Sequence, residues 1–208
     1  MTTTTTTISG GILPKEYQDL RDTVADFART VVAPVSAKHD AEHSFPYEIV
    51  AKMGEMGLFG LPFPEEYGGM GGDYFALSLV LEELGKVDQS VAITLEAAVG
   101  LGAMPIYRFG TEEQKRRWAV PILRGEITAS LGMSEPSAGS DLASLRTRAV
   151  RASDSAGDHF VINGQKVWTS GAQYCARGLA TVRTDPDAPK HAGITTVIID
   201  MLAPGVEV

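Results

Sequence analysis

LGMSEPSAGSD, residues 131–141, is the stretch on which the reading of this chain turns. Residues 126–133 alternate as a strand does and run into a turn punctuated by Pro136 and Gly139 and dense in hydroxyls. Gly139 lets the backbone approach a ligand closely, and Ser137 and Ser140 offer donors. Successive N–H groups in such a turn form a concavity suited to phosphate oxygens. Either Ser140 or Asp141 caps the short turn at 142–145. Taken by itself, an ordinary surface turn explains the same residues.

Outward from this stretch, the texture of the chain changes near Gly125. Before it the periods are helical: Leu13, Tyr17, Leu20, Val24, Phe27, Val31 and Val35 line one helix face, with Pro34 expected to kink or end it. Pro46 opens a second helix that turns Ile49, Val50, Met53 and Met56 inward and stops at Gly57. After a Pro- and Gly-rich loop at 62–72, a third buries Ala76, Leu77, Val80, Leu81 and Leu84. Residues 90–109 are apolar on nearly every side, as at the centre of a bundle. Thr111-Glu112-Glu113-Gln114 has the form of a capping box, and Pro121 limits the helix it opens. After Gly125 the period is two. Residues 160–162 and 166–168 flank Asn163-Gly164, a dipeptide suited to a two-residue hairpin turn. Residues 178–183 and 194–199 are further strands.

The fold expected is α+β: a disordered tail at 1–10, a helical bundle at 11–125, and a β-barrel-like domain at 126–208. A β segment beginning at Gly205-Val206-Glu207-Val208 leaves ladder partners unmet, so more polypeptide or a partner subunit is expected to complete that domain.

Eighteen basic against 26 acidic residues give a net charge of −8, which disfavours nucleic acid or an anionic membrane as the main partner. With Cys175 alone, no internal disulfide or cysteine metal cluster forms, as suits a reducing compartment. The threonine-rich N-terminus has neither the basic nor the apolar region of a secretory signal. The apolar run at 91–106 is too short and too polar to span a bilayer, so no membrane insertion and a cytoplasmic location are expected.

Two competing motifs carry less weight. His39-Asp40-Ala41-Glu42-His43 fits the inverted zinc-protease pattern, but Pro34 and Pro46 place it at a helix end with no third ligand in view. The glycines at 68–72 lack the Lys-Ser/Thr of a phosphate loop. Met104 and Met133 suit core filling, and Cys175 a small buried hydrophobe.

Residues 131–141 resemble the acyl-CoA dehydrogenase signature, in which Thr/Ser-Glu-Pro precedes Ala-Gly-Ser-Asp. A second family segment stands at 162–171, INGQKVWTSG, and weaker ones at 64–69 and 110–115, all in the family's order from residue 13 to 208. The resemblance implies an FAD-dependent oxidoreductase of fatty acid and lipid metabolism. Leu131, Met133 and Ser134 would edge the flavin ring, Gly139 and Ser140 would contact the pyrophosphate, and Ser140 would also lie near the CoA arm of the substrate. Trp168 would pack on the ring, Thr169 would join the cofactor site, and Ser170 would place its hydroxyl near flavin N5. Many relatives carry an aromatic residue at the Leu131 position and Thr at that of Ser170; the hydroxyl survives and the aromatic contact does not. Glu135 and Asp141 read as structural members of the motif.

The family removes an α-proton from an acyl-CoA thioester and transfers a β-hydrogen to flavin, with a glutamate of the C-terminal helical domain as base. That glutamate is expected beyond Val208, so the resemblance gives this chain no catalytic base, no activity alone, and weakened FAD affinity. It further implies electron-transferring flavoprotein as acceptor and a dimer or tetramer as assembly. The competing reading is a non-catalytic flavin- and acyl-CoA-binding subunit that pairs with another chain.

Overall fold

The computed structural model describes residues 13–155 and 157–208 and is α+β, as expected. The tail at 1–10 lies outside the described residues. The chain divides into two compact units, one running to Glu96 and including Leu123–Glu126, the other made of Ala97–Ile122 and Ile127–Val208.

In the first unit, α1 (Lys15–Phe27) leads through a wide π segment (Ala28–Val32) into α2 (Ala33–Glu42), followed by α3 (Tyr47–Glu55), α4 (Tyr74–Gly85) and α5 (Gln89–Glu96). The apolar stripe of α1 is real: Val24 and Phe27 are buried, and α4 packs against both α1 and α5. Ile49, Val50 and Met53 of α3 are buried, whereas Met56 and Leu81, expected inside, are only partly so. Asp73 caps α4 by accepting the Ala76 N–H at 2.8 Å.

Helices continue through prolines that were expected to limit them. α2 runs past Pro34 and α8 (Val120–Leu123) contains Pro121. Wide π segments at Ala28–Val32, Ala97–Ala103 and Lys115–Ala119 each end two residues before a proline, at Pro34, Pro105 and Pro121. In two of them the closing bond spans five residues, Ala33 N–H to Ala28 and Val120 N–H to Lys115. A proline ring clashes with the carbonyl four residues back in a regular helix. Widening the preceding turn moves that carbonyl aside and lets the helix carry on.

In the second unit the π segment Ala97–Ala103 leads into α6 (Met104–Phe109) and α7 (Glu112–Gln114), the latter opened by the expected capping box: Gln114 N–H donates to Thr111 Oγ1 and Thr111 N–H to Gln114 Oε1. The helical run 89–109 matches the expected helix at 90–109, but the expectation that its apolar stretch is too short and too polar fails: by length and composition alone the run suffices to cross a membrane. Leu95, Val99, Ala103 and Ile106 are nonetheless buried in the protein, as in a core helix.

The sheet comprises β1 (Ala129–Gly132), β2 (Arg148–Asp154), β3 (Gly157–Asn163), β4 (Arg177–Arg183) and β5 (Ile194–Asp200). β4 is its axis, with β5 antiparallel along one edge and β1, then β2, parallel along the other. The hairpin is β2–β3, closing at Asp154 and Gly157, and not a turn at Asn163-Gly164. Residues 166–168 form no strand. Gly164 has a different reason to be glycine: a Cβ there would lie 2.6 Å from Thr147 Cα. Residues 206–208 are likewise not a strand.

This crowding separates two glycines of the motif segments. Gly164→Ala is expected to lower stability by about 1–3 kcal/mol through overpacking. Gly139→Ala, with nothing within 4 Å of the added carbon, should stay within about 0.5 kcal/mol. Urea denaturation of the two variants checks the contrast.

Candidate functional site

β1 delivers residues 133–138 at the end of the sheet. Glu135 N–H donates to Ala138 O at 2.9 Å and Ala138 N–H to Glu135 O at 3.1 Å, folding Pro136-Ser137 into a tight reversal. The Glu135 side chain turns inward and is only 6% exposed. Its Oε2 accepts the Arg146 N–H at 2.6 Å, and its Oε1 accepts the Thr147 N–H and the Lys166 ammonium, each at 2.9 Å. Lys166 Nζ donates also to Met133 O at 3.0 Å, and Val167 N–H to Ser134 O at 2.9 Å. One buried carboxylate thereby joins the motif turn, the entry to β2, and the segment before Trp168.

Burial by itself would raise the Glu135 pKa. The Thr147 hydroxyl, the Arg146 and Thr147 N–H groups and the Lys166 ammonium outweigh it and bring the carboxyl down to about 2.

Past Val167 the chain takes a left-handed step at Trp168, φ 60°, which leaves the indole 89% exposed. The Thr169 hydroxyl turns in, buried and without a hydrogen-bond partner. Ser170 is exposed, and Gly171 at φ 75° starts a short 3-10 turn, Ala172–Tyr174. Gly132, Lys166, Thr169, Leu179, Ile199 and Met201 line part of a cavity of about 520 Å³, which residues 205–208 also border.

Leu131 is half-buried on β1, in register with Leu179 of β4. Met133 is exposed beside it and does not fill the core. Ser134 is brought to the 168–170 loop by its bond with Val167. Gly139 and Ser140 are exposed beyond the tight turn. They are held through Asp141, whose carboxylate accepts from Lys190 Nζ at 2.8 Å and from Ser144 Oγ. The Lys190 bond, then that of Ser144, keeps the Asp141 carboxyl below its ordinary range. Asp141 therefore holds the 142–144 turn through Ser144 Oγ and its own carbonyl, and not as a side-chain cap of a backbone N–H.

Cys175 is partly buried, and burial raises its thiol pKa, so the thiolate is disfavoured. The His39–His43 pattern is split by the end of α2: His43 is left-handed at φ 51°, while His39 pairs with Ser44 at 2.8 Å and Glu48 at 2.7 Å.

Known proteins match along the whole described length. Residues 14–126 match the family model for the acyl-CoA dehydrogenase N-terminal domain, and 130–208 that for the middle domain. The chain belongs to the acyl-CoA dehydrogenase family. A probable acyl-CoA dehydrogenase of Bacillus subtilis, YngJ, is 42% identical over 94% of this chain and 50% of its own length. Butyryl-CoA dehydrogenase from Megasphaera elsdenii has the same fold, with TM-score 0.84 and 33% identity over 94% of this chain and 51% of that one. So does an acyl-CoA dehydrogenase complexed with FAD from Bacillus anthracis, with TM-score 0.82 and 30% identity over 93% and 32%. The chain thus spans about half the length of the curated acyl-CoA dehydrogenases it matches.

Sequence reasoning placed Glu135 as a structural residue but missed its partner. Lys166 stood inside the second family segment, where residues 166–168 were read only as a strand flanking a turn at Asn163-Gly164. The buried pair makes a pH prediction. A folded pKa of about 2, below the ordinary 4.5, gives stability that is complete above pH 4.5 and lost as pH falls through about 2. Glu135→Gln is expected to cost about 3 kcal/mol at pH 7, a penalty that shrinks below pH 4.5. Denaturation of both proteins from pH 7 to pH 3 reads the convergence.

Proposed function

We propose that this chain forms the flavin- and acyl-CoA-binding part of an FAD-dependent acyl-CoA dehydrogenase. The observation that carries the reading is the exposed Trp168 indole on a left-handed step, tied through Val167 to Ser134 of the motif turn. A large aromatic face left in water beside the half-exposed Met133 suits a planar ring partner. The partnerless Thr169 hydroxyl and the open backbone at Gly139 suit a ligand with polar edges and an anionic arm. The residues present therefore fit FAD.

When bound, FAD supplies acceptance of the β-hydrogen of an acyl thioester as hydride. This chain's residues orient and shield. Trp168 would pack on the ring, Ser134 and Ser170 would offer it hydroxyls, and Leu131 and Met133 would exclude water from it. Gly139 and Ser140 would receive the pyrophosphate, and Ser140 would also lie near the CoA arm. Glu135 is not the α-proton base: its carboxylate is occupied by three donors, and a pKa near 2 makes it a poor acceptor at neutral pH. Assembly as a dimer or tetramer and electron-transferring flavoprotein as acceptor complete the reading.

The test uses Trp118→Phe, which leaves Trp168 as the one indole of the two in the chain. FAD is expected to quench its emission saturably and shift it to the blue. Trp168→Ala should raise the FAD dissociation constant about 5- to 10-fold, the scale of one aromatic stacking contact. Absence of saturable quenching, or an unchanged constant in Trp168→Ala, overturns the assignment.

A further inference from the structure

Arg183, at the C-terminal end of β4, commits its guanidinium to backbone carbonyls of two other segments. Nη2 donates to Ala143 O at 2.7 Å and to Lys190 O at 3.4 Å; Nε donates to Leu145 O at 3.3 Å and Nη1 to Lys190 O at 3.4 Å. One side chain thus ties three pieces of backbone: the end of β4, the 142–145 turn next to the motif, and the 185–193 loop. Lys190, from that loop, reaches back to both carboxylate oxygens of Asp141, at 2.7 and 2.8 Å. Asp141 also accepts from Ser144 and so closes the circuit. The loop is pressed close enough that a Cβ on Gly193 would overlap Asp185 O and lie 3.1 Å from Arg183 Nη1.

We propose that Arg183 and Lys190 form a two-point clasp that positions the Gly139–Ser140 backbone to receive the diphosphate of a dinucleotide cofactor. Arg183 is a positioning residue here: every hydrogen bond it makes in the clasp goes to a carbonyl, and it acts on the ligand only through the turn it fixes. Gly139 and Ser140 are exposed and have no tertiary framework of their own, so the adjoining segment Asp141–Leu145 sets their geometry. An immobilised turn binds an anion at less entropic cost than a loose one. The fork of the guanidinium is what bridges Ala143, Leu145 and Lys190 at once. A lysine keeps the charge but not the fork.

This inference rests on the flavin reading above and is tested apart from it by comparing two ligands, FAD and riboflavin, the second lacking the diphosphate. Binding to the full chain is monitored by flavin fluorescence anisotropy, with thermal melting as the check on folding. Arg183→Lys is expected to weaken FAD about tenfold while riboflavin changes less than about twofold, so that the preference for FAD falls. Lys190→Met, which breaks the exposed arm alone, should weaken FAD about 2- to 5-fold with the same selectivity and an almost unchanged melting temperature. Should Arg183→Lys fail to fold, Lys190→Met carries the test. Equal loss of both ligands, or unchanged FAD binding in a folded variant, overturns the clasp while leaving the flavin reading intact. If the unsubstituted chain binds no FAD, the flavin reading falls and the clasp with it.

Discussion

A carboxylate withdrawn from water next to an ammonium is the constraint on which this molecule's ligand-facing end depends. Desolvating Glu135 and Lys166 is costly, and the cost is offset because two backbone amides and a carbonyl are recruited beside the pair. The Arg146 and Thr147 amides, the Met133 carbonyl and the two side chains leave little freedom for the segments that meet there. Specificity of arrangement, more than net stability, is what such a pair provides. The motif turn and the Trp168 loop share no strand pairing with one another, and without the pair their mutual register would rest on one bond, Val167 to Ser134.

Much of this was legible in the chain and some was not, for identifiable reasons. The stripe of α1, the capping box at Thr111 and the strands at 178–183 and 194–199 are local signals, and they were read correctly because neighbours within a few residues decide them. Asn163-Gly164 misled because glycine answers two demands, a turn and a close approach, and only the fold says that Thr147 is the neighbour. The prolines misled because the remedy, a widened turn, lies upstream of the residue that requires it. Long-range side-chain partners such as Lys166 for Glu135, or Ala143 and Lys190 for Arg183, leave no mark in a single sequence. Family resemblance located the turn and the tryptophan loop but was silent on what holds them.

The proline-linked π segments have a common logic. Each helix gains continuity across a residue that would otherwise break it, and each accepts a weaker, wider turn in return. Such turns displace the subsequent side chains around the helix axis by a fraction of a turn, so the apolar stripe before Pro34 and the residues after it need not share one face. That accounts for α2, which buries no residue although α1 and the π segment leading into it bury Val24, Phe27, Ala28 and Val32, with the stripe residue Val31 only partly covered.

The topology of the sheet also bears on how the chain acquires its structure during synthesis. β1 finds its partner only in β4, and the entire β2–β3 hairpin separates the two in sequence. On a ribosome, β1 and the motif turn emerge first and wait, with backbone groups unpaired and Glu135 without Lys166. The hairpin can close by itself meanwhile, since its contacts are local. The central strand is therefore the late arrival that converts several waiting pieces into one sheet, and until it emerges the edges of β1 and β2 that it covers stand open to wrong partners.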